Sequence, residues 1–88
     1  MLNSIKYMNT IIGRIVIYKT TEVQRKEMEE KAKKGECNVQ EKLPGIVVAV
    51  WSDTCVNLNV PLDGEGSLWV TSSQQGQNEG EWNWPEKV

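Results

Sequence analysis

Residues 43–62, LPGIVVAVWSDTCVNLNVPL, constrain the fold more than any other stretch of this chain. The segment holds two apolar runs joined by the polar turn Ser52-Asp53-Thr54, whose short side chains can bond their own backbone. The first run, over residues 45–51 behind Pro44, is Ile-Val-Val-Ala-Val with no polar interruption. It predicts a strand covered on both faces. The second, residues 55–62, alternates strictly: Val56, Leu58, Val60 and Leu62 on one side, Asn57, Asn59 and Pro61 on the other. A one-residue slip would bury both asparagines, so its register is fixed. Pro61, lacking an N–H, places that end at a sheet edge.

The flanking segments read as additions to this pair. Residues 10–19, TIIGRIVIYK, are short and β-branched and predict a first strand, with Ile15 and Ile17 on one face and Arg14, Val16 and Tyr18 on the other. Gly13 marks a bulge or the true strand start. Residues 21–34 predict the one helix. Thr21 and Gln24 form a capping box, Gly35 follows the C-terminus, and Lys33 and Lys34 suit the negative end of the dipole. Four Glu-to-Lys pairs at i,i+4 are expected to support it: Glu22 with Lys26, Glu27 with Lys31, Glu29 with Lys33, and Glu30 with Lys34. Only Val23, Met28 and Ala32 are apolar, so a solvated helix lying over a sheet edge is expected, with a partner-docking helix as the other reading. Beyond the central pair, the turn DGEG leads to a strand over 67–72, with Leu68 and Val70 inward and Trp69 and Thr71 outward. Residues 73–80, SQQGQNEG, read as a polar loop with a mobile tip. A short strand over 81–84 puts Trp82 and Trp84 on one face and ends at Pro85.

Five short antiparallel strands with one surface helix inserted after strand 1 predict a mainly β fold. A small SH3-like barrel is the first choice and an OB-like barrel the second. A single domain is expected over residues 10–88. Residues 1–9 read as an N-terminal arm, poorly ordered unless held by a partner, with Met8 as a possible second start.

Composition removes several functions. The 88 residues include no histidine, which excludes Ser-His-Asp and Cys-His catalysis and His-ligated metal sites. Cys37 and Cys55 lack CxxC spacing. They read as two reduced thiols, with a disulfide or a two-cysteine metal site as alternatives. A net charge of −2 disfavours nucleic acid, for which a basic face would supply the affinity. Neither a secretory signal nor a run of about 20 apolar residues is present, so a soluble intracellular protein is expected. A domain this small buries only about 60–65% of its unfolded surface, and pairing with a copy of itself would supplement that. No cofactor is indicated. The turn carboxylates Asp53, Asp63, Glu65, Glu79 and Glu81 form no marked acid–base pair, and a non-enzyme is expected.

Tryptophan is the informative excess: four in a chain without phenylalanine. Trp51, Trp82 and Trp84 read either as the large residues that close a small barrel or as part of a binding surface. Trp69 is placed outward beside Thr71, with Asn57 and Asn59 on the neighbouring strand. Rings can stack on a flat ligand while amides read its edge; the same surface suits a protein interface. Arg14 is the better-placed guanidinium for an anionic ligand. The candidate ligand-binding residues are therefore Arg14, Trp51, Asp53, Asn57, Asn59, Trp69, Thr71, Trp82 and Trp84.

The pieces LPGIVVAVWSDTCVNLNV, DGEG, WVTS and EGEWNWPEK, in that order, resemble a widespread group of small hypothetical proteins of tailed bacteriophages and prophages. Those share a P-[AG]-I-V-x-x-V-W-S-D-x-C-V-N-L-x-V core and a W-x-W-P tail. The resemblance spans residues 12–87, excludes the N-terminal arm, and transfers no functional residue. It implies a phage-encoded protein acting in the host cytoplasm. The expectation is a homo-oligomeric, non-enzymatic sponge that sequesters a nucleotide-derived host immune signal. The alternative is a structural or host-protein-inhibiting module that uses its Trp-rich surface.

Overall fold

The computed structural model describes residues 10–86. Its five strands are β1 (Ile15–Lys19), β2 (Lys42–Val50), β3 (Cys55–Pro61), β4 (Ser67–Gln74) and β5 (Trp82–Asn83), and its helix α1 is Glu22–Lys33 between β1 and β2. The sheet order is β4-β3-β2-β1-β5, with every neighbouring pair antiparallel. The first strand thus lies between the second and the last, and the sheet curls into a half-barrel. This is a small SH3-like barrel.

Period-two burial builds the core. Val56, Leu58 and Val60 of β3 are fully buried, and Leu62 nearly so. Val16 and Tyr18 of β1, Leu43 and Val47 of β2 and Trp82 of β5 complete the interior, with Leu68, Val70 and Trp84 packed on its margin. Gly45 sits inside this layer, where a Cβ would press on Leu58 Cδ1 at 3.3 Å.

Two bulges bend the sheet, and both fall at Asn57. Val48 is the extra residue of β2 between the pairs Val47–Leu58 and Ala49–Asn57. Thr71 and Ser72 of β4 together oppose Asn57, between the pairs Leu58–Val70 and Val56–Ser73. Ser72 takes a positive φ of 51°, and the Asn57 side-chain carbonyl accepts its N–H at 2.8 Å. Such insertions sharpen local twist and let a short sheet close on itself.

Closure falls to Trp82. Its carbonyl accepts the Gly76 N–H at 2.8 Å, and Gln75 bridges to it in parallel, joining the end of β4 to β5. The buried indole N–H donates to Ser73 O at 3.1 Å, and Ser73 Oγ donates to Gly80 O at 2.9 Å. Trp84 packs edge-on against Trp82, with ring centroids 5.3 Å apart and planes at 87°.

The helix caps form as the sequence dictates. Thr21 Oγ1 accepts from Gln24 N, and Gln24 Oε1 accepts from Thr21 N and from the Tyr18 hydroxyl. At the other end Gly35 adopts φ +75°, while Gly35 N and Glu36 N donate to Ala32 O and Lys31 O. Met28 is the helix's one buried side chain.

Several expectations need correction. β2 is not covered on both faces: its burial alternates, and Val48 is 43% exposed, because α1 contributes only Met28 to the core and no layer covers the sheet's outer surface. β1 begins at Ile15; the preceding residues form a turn in which Gly13 (φ +95°) donates to Val47 O, so Arg14 lies outside the strand. β4 runs on to Gln74, taking two residues from the predicted loop. None of the four i,i+4 pairs closes as an ion pair among the described residues; Glu30 pairs with Lys33, Lys31 with Glu36, and Arg25 reaches the distant Glu79 at 2.7 Å. Pro61 ends an interior strand, two residues beyond the last β2 pair at Asn59. The arm 1–9 lies outside the described residues.

Candidate functional site

The expected site residues separate into three places. The first is the outer face of the sheet. Ile15 pairs with Ile46, Ile46 with Asn59, and Asn59 with Trp69, so one row crosses β1 to β4. Trp69 is 75% exposed and Trp51 65%. Trp51 therefore does not close the barrel. Its indole N–H donates to Asn57 Oδ1 at 2.9 Å, the same oxygen that holds Ser72 N, so an exposed ring is fixed in place over the bulge. Thr71 is exposed beside it. Asp53 lies in the adjoining turn, where its carbonyl accepts from the buried Thr10 hydroxyl at 3.1 Å.

Arg14 is second and separate. It is half-buried before β1, and its Nε is enclosed without a hydrogen-bond partner among the described residues.

The third place gathers the C-terminal tryptophans, and there the two differ. Trp82 is completely buried and offers no surface to a ligand. Trp84 lines a half-open groove of about 430 Å³ between β1, the start of β2, β5 and the loop after β4. This volume is ordinary for a small-molecule site. Ile17, Trp84 and Pro85 supply its apolar wall, Gln77 and Asn83 its amides, Lys19 and Lys42 its cations, and Glu81 and Glu86 its carboxylates. The Asn83 side-chain Oδ1 accepts from Trp84 N at 2.9 Å and from the Gln75 side-chain amide at 3.3 Å, which leaves the Asn83 NH₂ to donate.

Lys19 and Lys42 are direct cross-strand partners. Like charges facing each other across a ladder are destabilising. Neither forms an ion pair among the described residues; Lys19 only reaches Gln77 O, at 3.4 Å. Sequence reasoning missed Lys19, Lys42, Gln77 and Asn83. The available signal was a lysine at the end of each of two apolar strands, but only the register brings the two together.

The groove's loop is tied down by an ion pair and a backbone hydrogen bond, both to Glu79. Glu79 accepts from Arg25 and, at 3.0 Å, from Glu22 N at the helix start. The Arg25 hydrogen bond holds its carboxyl below the usual 4.5, and Glu79 in turn raises Arg25. Asp63, bonded by the Gln40 and Asn38 amides, is lowered likewise. Burial raises the Tyr18 phenol against the opposing effect of its bond to Gln24.

No protein-family model, curated protein or solved structure matches this chain. The site's chemistry therefore stands on its geometry. Among the described residues there is no cluster of three or more metal-ligating side chains, and no helix is long and apolar enough to cross a membrane.

Proposed function

We infer that the protein is a non-enzymatic binding protein, phage-encoded, that captures a nucleotide-derived molecule of host immune signalling in the groove beside Trp84. The carrying observation is the Lys19–Lys42 cross-strand pair, uncompensated by any ion pair among the described residues and set at the rim of a cavity with an aromatic wall. A phosphate between the two ammonium groups relieves their repulsion. A base or other flat ring meets Trp84, and the Asn83 and Gln77 amides address its edge. The phage setting and the immune signal come from the resemblance of the core and tail motifs; the groove supplies the ligand chemistry. Capture without turnover fits a groove with neither a histidine nor a marked nucleophile.

Isothermal titration against cyclic oligonucleotides and ADP-ribose derivatives tests this. Heat with at least one of them is expected, reduced at least tenfold in affinity in the Lys19→Ala/Lys42→Ala variant. No heat with any of them refutes it. A second reading, a module docking a virion or host protein, draws on the exposure of Trp51 and Trp69. It predicts a stoichiometric partner in pull-downs that Trp69→Ala loses.

A further inference from the structure

A quarter of this chain is charged, yet the outer face of the sheet is not. From the row of Ile17 and Pro44 to that of Asn57, every outward position of β1 to β4 is apolar or neutral: Ile15, Ile46, Val48, Asn59 and Trp69 define it. Charge returns at the two ends of the face, with Lys19 and Lys42 at one and Asp53 in the turn beyond Trp51 at the other. Sheet faces that meet water normally alternate to charged or polar residues, and depletion of charge with enrichment of Trp marks the centre of an interface. The hydrogen bond from Trp51 to Asn57 adds preorganisation, since a ring already fixed loses less entropy when covered.

We propose that this face pairs with the same face of a second copy, sheet on sheet, in a two-fold dimer. One observation, the face's lack of charge, favours a copy over a foreign partner on two counts. In a two-fold contact groups near the axis meet their own copies, so charges there would repel, and a neutral centre suits such pairing. A foreign partner is usually selected through complementary charge, which this face lacks. Area sets the strength. At their exposures Trp51 and Trp69 alone present about 350 Å², and with Ile15 and Val48 the patch reaches roughly 500 Å², below the ~800 Å² per partner of a standard stable interface. The dimer is therefore weak and concentration-dependent, and Trp51 and Trp69 are its anchors.

Sedimentation equilibrium over about 1 to 500 μM, a range bracketing micromolar dissociation constants, reads it directly. The mass is expected to rise from the 10.0 kDa of one chain toward twice that value. Trp69→Glu should weaken association more than tenfold with an unchanged circular dichroism spectrum. Asn59→Lys, at the exposed cross-strand partner of Trp69, should do the same and serves if the first variant folds poorly. Val23→Glu, on the exposed face of α1, should leave association intact. A single-chain mass throughout overturns the proposal. So does association that both face variants leave unchanged, or a host or virion protein found stably bound to this face of a monomer.

Discussion

Replacing Trp82 by phenylalanine tests how the barrel is closed. Trp82 is the largest fully buried side chain among the described residues, and its indole N–H and its carbonyl tie β5 to Ser73 of β4 and to Gly76 just beyond it. The substitution keeps an aromatic ring but removes the indole N–H, leaving Ser73 O without that buried donor, a loss of about 1–1.5 kcal/mol. The smaller ring opens a void of roughly 35 Å³, worth ~0.8 kcal/mol at ~24 cal/mol per Å³. Lost transfer free energy of the missing atoms adds about 1 kcal/mol. Together the cost is about 3 kcal/mol, which in a domain this size lowers Tm by roughly 12–24 °C. Urea unfolding followed by circular dichroism measures it, with Trp69→Phe as the control. At 75% exposure that change stays within about 0.5 kcal/mol. A loss below about 1 kcal/mol for Trp82→Phe would show that the closure does not depend on this indole.

Two further outcomes follow from the turn and the ion pairs. Gly64, at φ +144°, packs against Glu36 O and Cys37 Cα so closely that a Cβ would overlap both, so Gly64→Ala should cost at least about 2 kcal/mol in the same unfolding assay. Glu79 and Asp63 both titrate below their ordinary values of 4.5 and 3.8 in the folded chain. A carboxylate lowered on folding stabilises above its unfolded pKa, and that contribution disappears as pH falls through the folded one. Thermal unfolding between pH 7 and 3 should therefore show stability dropping on the acid side of about 4.5, and Glu79→Gln should flatten the drop.

How much of this was legible differs by element. β3 was readable because Val56, Leu58 and Val60 alternate with the outward Asn57, Asn59 and Pro61, and the strand keeps that alternation to its end; the edge position read from Pro61 was not borne out. The capping box was equally readable, since Thr21 and Gln24 complete it through local bonds alone. The Glu–Lys ladder of α1 was not. Its side chains face water, where other partners compete on equal terms: Lys33 pairs with Glu30 at i,i+3 and Lys31 with Glu36 beyond the helix. The uninterrupted run of β2 misled, because an apolar residue on an uncovered outer face looks the same in sequence as one in a core, and no local signal marks the bulge at Val48. The outward Trp69 beside Asn59 was read correctly from alternation. The groove was invisible for a different reason: Lys19 and Lys42 meet only through the β1–β2 register, and Gln77 and Asn83 only through the closure at Trp82.

The most direct test of ligand capture in the groove is a pair of ¹H–¹⁵N spectra with and without a bound probe, taking ADP-ribose and a cyclic dinucleotide as the two probes. The four indole N–H signals report on the outer face (Trp51 and Trp69), the barrel interior (Trp82) and the groove wall (Trp84). The expected result is a shift of the Trp84 indole together with the Asn83 and Gln77 amides, while Trp69 stays still. Unchanged spectra with both probes, or shifts confined to Trp51 and Trp69, would contradict it.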